Sequence, residues 1–264
     1  MKYRILAFKG KLMNNKIPKS EFLAEIISTF LLNSLVKDNL IQFLKKYFRL
    51  KTEGEFNIPQ NGPALIIPNH SGFSGLDAII LTNEILNKTG RISKVMTHFF
   101  WFLSKTTSIP AERLGFVKAD SKIGVKLISD GNLVILFPEG EKGNFKPTTQ
   151  KYQLQEFKRG FVRWAIETGC PIIPTLIIGA EESQLNLKRI RLPFIIQKLN
   201  LPLPVNIIPL PSRWKIKFLS PIYLPYDPKA ANDNDLVHDI TAEIQDKMQI
   251  ALTMEVNKRK SIFL

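Results

Sequence analysis

The chemistry in this chain centres on two glycine-bearing segments, each placed just after a short apolar run. In the first, His70 lies within Pro68-Asn-His-Ser-Gly-Phe-Ser-Gly-Leu-Asp77, immediately after the apolar residues 64–67. Histidine is the side chain whose ordinary pKa lets it accept a proton near neutrality. To act as a general base it needs a partner that fixes its tautomer and offsets the charge it gains. Asp77 is the nearby candidate. On an unbroken helix, seven residues span about 10 Å, too far for a hydrogen bond. Gly72 and Gly75 interrupt the helix and let the chain fold Asp77 back to the ring. Each residue also has a structural reading. Ser74-Gly-Leu-Asp77 looks like a capping box with Asp in the third position, and a lone histidine is often a satisfied core residue. Placement at a strand end, where open α/β sheets bind ligands, favours the chemical reading of His70.

The second segment is Phe137-Pro-Glu-Gly-Glu-Lys-Gly143, at the end of the run 132–137, which is apolar from Leu133 onward. Its glycines permit close backbone approach to a ligand. Glu139 offers a carboxylate to hydroxyls. Lys142, with Lys146, Lys158 and Arg159 downstream, offers cations to phosphate. The structural alternative is a tight turn with solvated charges.

These segments need a scaffold, and the pattern supplies one. Buried strands are expected at 64–67, 132–137, 171–178 (prolines at the margin) and 214–219, with helices at 78–86, 157–168 and 235–256. The alternation predicts an α/β fold: a mixed, largely parallel sheet flanked by helices. Ahead of it, residues 20–34 and 38–48 read as an N-terminal pair of amphipathic helices. The expected division is therefore a basic segment at 1–49 and an α/β domain at 50–264. Residues 191–211 carry five prolines among Leu, Ile and Phe, and read as an irregular apolar excursion.

Composition narrows the function. A chain of 264 residues that is 44% hydrophobic can bury a real core, which excludes a disordered tail. One cysteine, Cys170, excludes a disulfide framework, and three histidines leave little for a histidine-rich metal centre. The formal net charge is +14, and residues 1–51 hold eleven basic side chains against three acidic ones. An anionic partner is expected. No nucleic-acid motif stands out, so an anionic membrane surface is the expected partner and nucleic acid is not. The apolar stretch 22–36 is too short to span a bilayer and carries Glu25. Residues 1–19 lack the apolar core of a secretory signal. The expectation is a cytoplasmic protein lying peripherally on a membrane.

Taken together, Asn69-His70 with Asp77, then Phe137-Pro-Glu-Gly140, then Pro171-Ile-Ile-Pro174 resemble the glycerolipid acyltransferases, the family of glycerol-3-phosphate and lysophosphatidic acid acyltransferases. The resemblance runs from about Phe48 to Pro225. It includes Gly62-Pro-Ala-Leu-Ile-Ile-Pro-Asn-His70, Lys158-Arg-Gly-Phe-Val162 and Ile178-Gly-Ala-Glu-Glu182. It implies transfer of a fatty acyl group from a thioester, acyl-CoA or acyl carrier protein, to a glycerolipid hydroxyl. The acceptor would be a lysophospholipid or glycerol phosphate. By resemblance His70 is the base and Asp77 its orienting carboxylate, and Phe137, Pro138, Glu139 and Gly140 bind the acceptor, with Asn69, Ser71, Gly72, Lys142 and Arg159 beside them. No metal or prosthetic group is implied. This chain has six residues between His70 and Asp77 where the family's common form has four, as in an HSG-type branch. Where the family carries an arginine motif, around residues 115–120, no arginine stands, and Lys118 or Lys122 takes its place. The alternatives are a non-enzymatic basic protein of the membrane surface, and a hydrolase using the same histidine on water.

Overall fold

Strands with continuous apolar runs must be covered on both faces, and this chain covers them with helices. The computed structural model describes residues 34–71, 74–97, 102, 105–191, 200–206 and 208–263. Helix α1 (Ser34–Tyr47) leads into β1 (Lys51–Glu53) and β2 (Ala64–Pro68). Helix α2 (Leu76–Thr89), β3 (Ser93–Thr97), α3 (Lys105–Arg113) and β4 (Phe116–Lys118) follow. Next come α4 (Ser121–Ser129), β5 (Leu133–Leu136), the single turn α5 (Glu141–Asn144) and α6 (Gly160–Thr168). Then β6 (Ile172–Ile178) and the turn α7 (Ala180–Ser183) precede a hairpin of β7 (Asn186–Arg191) and β8 (Asn200–Pro204). The chain closes with β9 (Lys215–Phe218) and the long α8 (Asn234–Asn257).

Seven strands form one sheet in the order β1-β9-β6-β2-β5-β3-β4. Strands β2 to β6 are mutually parallel, β9 runs antiparallel to β6, and β1 is parallel to β9. The expected mixed, largely parallel α/β sheet is the one observed. Side chains alternate across it. Leu65, Ile67 and Val134 pack with Ile128 of α4, Phe161 of α6 and Val237 of α8. Ala64, Ile66 and Ile135 pack on the other face with Leu81 of α2 and Ala111 of α3. Because β2 to β6 are parallel, their carboxyl ends share one edge.

Several expectations are corrected. Pro174 lies inside β6, pairing with Ile67, rather than at its margin. Its carbonyl accepts from the Leu219 N–H just beyond β9, so its missing donor falls where no strand pairs. The stretch 191–211 is not wholly irregular, since β8 pairs with β7 through Pro202 and Pro204. A two-stranded hairpin tolerates prolines because each strand has a free edge. Residues 20–33 of the first expected amphipathic helix lie outside the described residues, and Ser34 already belongs to α1. The second is α1, which buries Ile41 and sets Phe48 against the Trp214 ring at 4.5 Å. Leu40, expected on that face, is instead exposed beside Phe43.

One contact between crossover helices gives a test. A Cβ on Gly124 of α4 would lie 2.5 Å from the ring of buried Trp164 in α6. Alanine gains about 1 kcal/mol of helix propensity. Overpacking against a rigid ring costs about 1–3 kcal/mol. Gly124→Ala should therefore lower the thermal midpoint measured by circular dichroism, although it replaces a glycine inside a helix.

Candidate active site

The carboxyl end of β2 delivers Asn69 and His70 to the edge of the sheet. Gly75, at φ 72°, turns the chain into α2 through a left-handed conformation that favours glycine. The turn returns Asp77 to His70, and Asp77 Oδ2 lies 2.7 Å from His70 Nδ1. Asp77 is fully buried. Its Oδ2 also accepts from the Ser71 N–H at 3.0 Å, and its Oδ1 from the Ala78 N–H at 2.8 Å. Those amides and the first turn of α2 offset the cost of burying a carboxylate. The capping-box pattern does not form: Ser74 Oγ accepts from the Leu76 N–H and donates to Gln184 Oε1, while Asp77 serves the histidine loop. An ionised Asp77 can only accept, which assigns the Nδ1 proton to the face toward Asp77 and leaves the lone pair on Nε2. The His70 side chain is 15% exposed, so a reacting group can reach it.

The loop after β5 supports this histidine from the adjacent strand. Phe137 stacks on the His70 ring with centroids 4.2 Å apart. Glu139 does not offer its carboxylate to a ligand in this conformation. It is fully buried, with Oε1 accepting from the His70 N–H at 2.8 Å and Oε2 from the Gln155 N–H at 2.7 Å. It works as a clamp on the histidine backbone. Asn69 is likewise bonded within the protein. Its side chain donates to the Ile177 carbonyl at 3.0 Å and accepts from the Ile177 N–H at 2.7 Å, tying β2 to β6. Pro138 is buried, and its carbonyl accepts from the Lys158 N–H. Gly140 has φ 55°, and a Cβ there would meet Lys158 Nζ at 2.9 Å.

The structure therefore gathers Asn69, His70, Ser71, Asp77, Phe137, Pro138, Glu139 and Gly140 at one place. Gly72 lies outside the described residues. Lys142 is exposed and pairs with Glu156 at 2.7 Å, and Arg159 is exposed just before α6. Lys118, at the carboxyl end of β4, is exposed on the same edge but three strands along from β2, about 14 Å at normal strand spacing. Lys122 lies in the first turn of α4 beyond it, with its backbone N–H donating to Asp120. Lys146 is no phosphate ligand here. It is buried, 2.9 Å from Glu181 Oε1 and 3.7 Å from Glu139 Oε2.

Sequence reasoning gave no role of their own to the groups behind the clamp. Glu181 Oε2 accepts from the Tyr152 N–H at 2.8 Å. The Tyr152 hydroxyl receives Gly179 N–H and Arg259, and Arg259 also binds Glu182 at 2.6 Å. The signal was available: Glu181 and Glu182 follow a buried strand directly, the same placement that singled out His70 and Glu139. Burial raises the Glu181 carboxyl from its ordinary 4.5 to about 7, against the opposing pull of Lys146.

Residues 49–178 match the family model described as Acyltransferase. An uncharacterized protein of Mycobacterium tuberculosis is 31% identical over 244 residues, covering 88% of this chain and 68% of that protein. The chicken DGAT1/2-independent enzyme synthesizing storage lipids is 26% identical, covering 76% of this chain and 58% of its own length. The chain belongs to the glycerolipid acyltransferase family. It is an O-acyltransferase. The crystal structure of the acyltransferase PlsC from Thermotoga maritima, a 1-acyl-sn-glycerophosphate (LPA) acyltransferase, shares the fold. Its TM-score is 0.54 at 15% identity, over 97% of this chain and 96% of that one.

The raised Glu181 pKa sets a pH test on this acyltransferase. A carboxyl that binds its proton more tightly when folded favours the folded state below about 4.5, and that benefit fades as pH rises through about 7. Relative to wild type, Glu181→Gln should therefore gain stability in urea unfolding on going from about pH 5.5 to about pH 8. An unchanged difference between the two pH values would refute the assignment.

Proposed function

We propose that this acyltransferase moves a fatty acyl group from an acyl thioester to a hydroxyl of a glycerolipid, with His70 as general base and Asp77 as its orienting carboxylate. His70 Nε2 takes the hydroxyl proton as the oxygen attacks the thioester carbonyl. The tetrahedral adduct collapses, the carbon–sulfur bond breaks, and the protonated ring returns the proton to the leaving thiolate. The donor is acyl-CoA or acyl carrier protein, and no resident cofactor takes part. One observation carries the reading: the 2.7 Å contact between His70 Nδ1 and a fully buried Asp77, with the ring still reached from outside. General acid–base assistance of this kind is worth about 10²–10⁴-fold.

The acceptor is a lysophospholipid or glycerol phosphate. The solved neighbour is named for a 1-acyl-sn-glycerophosphate, itself a lysophospholipid, which supports an acceptor of that class. The exposure of Lys118 and Lys122 on the edge that carries His70 supports a role for them toward an acceptor's phosphate, as point charges rather than bidentate forks. No helix among the described residues is long and apolar enough to cross a membrane. Peripheral attachment at the cytoplasmic face fits the basic residues 1–49. It also fits α1, where exposed Leu40 and Phe43 neighbour Lys46, and where Tyr47 holds the Pro209 carbonyl beside exposed Ile208.

The test is purified protein with labelled acyl-CoA and a panel of lysolipids in anionic vesicles, products read by mass spectrometry. His70→Ala should lower acceptor-dependent product by at least about 10²-fold with the fold intact. Asp77→Asn should also lose at least about 10²-fold, because its amide can hold the ring in the wrong tautomer. Acceptor-independent release of free acid would instead indicate hydrolysis, and full activity of His70→Ala would remove the base.

A further inference from the structure

The acyl-transfer steps make no use of the proline-bearing hairpin β7–β8, yet it rises from the edge that carries His70. Strand β6 ends on that edge at Ile178, and α7 and β7 follow directly. Gln184, two residues before β7, accepts from Ser74 Oγ in the His70 loop at 2.8 Å. The base of the hairpin is fixed. The Asn186 side-chain amide donates to the Phe145 and Lys146 carbonyls, and its backbone N–H donates to Thr148 Oγ1. Asn206 Oδ1 accepts from the Leu185 N–H, and Asn206 Nδ2 donates to the Ser183 carbonyl. Beyond that base, β7 and β8 pair with each other and neither joins the seven-stranded sheet. A lone two-stranded hairpin is marginal in water. Leu187, Val205 and Ile208 each expose more than half of their surface. Residues 186–211 carry Lys188, Arg189, Arg191 and Lys198 and no Asp or Glu. Helix α1 meets the sheet on the same edge, because Lys215 of β9 pairs with Ile178 and Lys51 of β1 pairs with Lys215. Tyr47 Oη donates to the Pro209 carbonyl at 2.7 Å, and Arg49 to the Pro211 carbonyl at 3.0 Å. These bonds join α1, with its exposed Leu40, Phe43 and Lys46, to the strap that follows β8.

We propose that the β7–β8 hairpin is a second membrane-docking element, which together with α1 sets the His70 edge against an anionic bilayer. The role rests on the reading of this acyltransferase as a peripheral membrane protein. Exposed apolar side chains among Lys and Arg, with no carboxylate between them, match a layer of anionic headgroups over acyl chains. The free edges of the two strands keep the hairpin shallow, since unpaired backbone groups are not tolerated in hydrocarbon. One contact would leave the molecule free to roll on the surface. Two contacts, tied to each other at Pro209 and Pro211, fix which edge faces the lipid. That edge is the one from which His70 must meet an acceptor's hydroxyl.

The experiment is co-flotation of the full chain with phosphatidylcholine vesicles, with and without phosphatidylglycerol. It compares Leu187→Ser/Val205→Ser and Lys188→Glu/Arg189→Glu in the hairpin with Leu40→Ser/Phe43→Ser in α1, each checked for folding by circular dichroism. Both hairpin variants should lose about tenfold or more in partition to the anionic vesicles. Their kcat/KM toward a lysolipid held in those vesicles should fall about as much. Transfer from a short-chain acyl-CoA to a short-chain lysolipid dispersed in water should stay within about threefold of wild type, which a misfolded site would not allow. Hairpin variants that float like wild type while the α1 variant is released would overturn the hairpin's role and leave peripheral attachment standing. A wild-type chain that ignores anionic vesicles would overturn both. Hairpin variants that change the oligomeric state in light scattering, with vesicle binding unaltered, would give this surface to a second copy and overturn the proposal. If wild type transfers no acyl group, the enzymatic reading fails on activity, while flotation still decides the docking role.

Discussion

A carboxylate sealed from water beside a histidine is the constraint on which this site depends. Asp77 has no exposed surface, yet it must stay charged to hold the Nδ1 proton of His70. Burying an unpaired carboxylate costs several kcal/mol. The chain offsets this locally with the amides of Ser71 and Ala78 and the first turn of α2. The left-handed turn at Gly75 is what makes that placement possible. The strand-to-helix junction therefore pairs the histidine with its carboxylate and pre-sets the ring's tautomer together.

The neighbouring strands hold the junction still. Asn69 bonds both backbone groups of Ile177 and so locks the end of β2 to β6 on one side. Glu139 bonds the His70 amide from the loop after β5 on the other side. Phe137 covers the ring face, which makes the surroundings drier and the Asp77 contact stronger. Polar residues in this site thus divide into one pair that faces chemistry and a larger set that fixes its backbone. For an acyltransferase the division has a mechanistic sense, since a general base must meet its proton donor within hydrogen-bond reach.

Much of this was legible in the sequence because burial and breaks leave strong marks. The apolar runs that became β2, β5 and β6 sit within a residue of their expected places, and Gly75 correctly signalled that Asp77 folds back to His70. Short edge strands were not legible: β1 and β4 have three residues each, too few for a period. Helix α4 was hidden because its apolar face is short and carries Gly124 against Trp164. The internal bonds of Asn69 and Glu139 were not legible for a different reason. A polar residue beside a candidate catalytic histidine reads as a ligand contact, and nothing in a linear pattern reveals that Ile177 and Gln155 arrive to occupy it. Lys146 illustrates the same limit, since a lysine in a basic stretch reads as solvated until the fold closes over it.

The tautomer of His70 tests the central claim most directly. Long-range ¹H–¹⁵N correlation spectra of the three histidines, with His70 assigned by its loss in His70→Ala, report which ring nitrogen carries the proton. At a pH where the ring is neutral, the account requires a proton on Nδ1 and a bare Nε2, with a downfield Nδ1 proton that disappears in Asp77→Asn. A His70 ring protonated on Nε2, or one whose signals ignore Asp77→Asn, would contradict it.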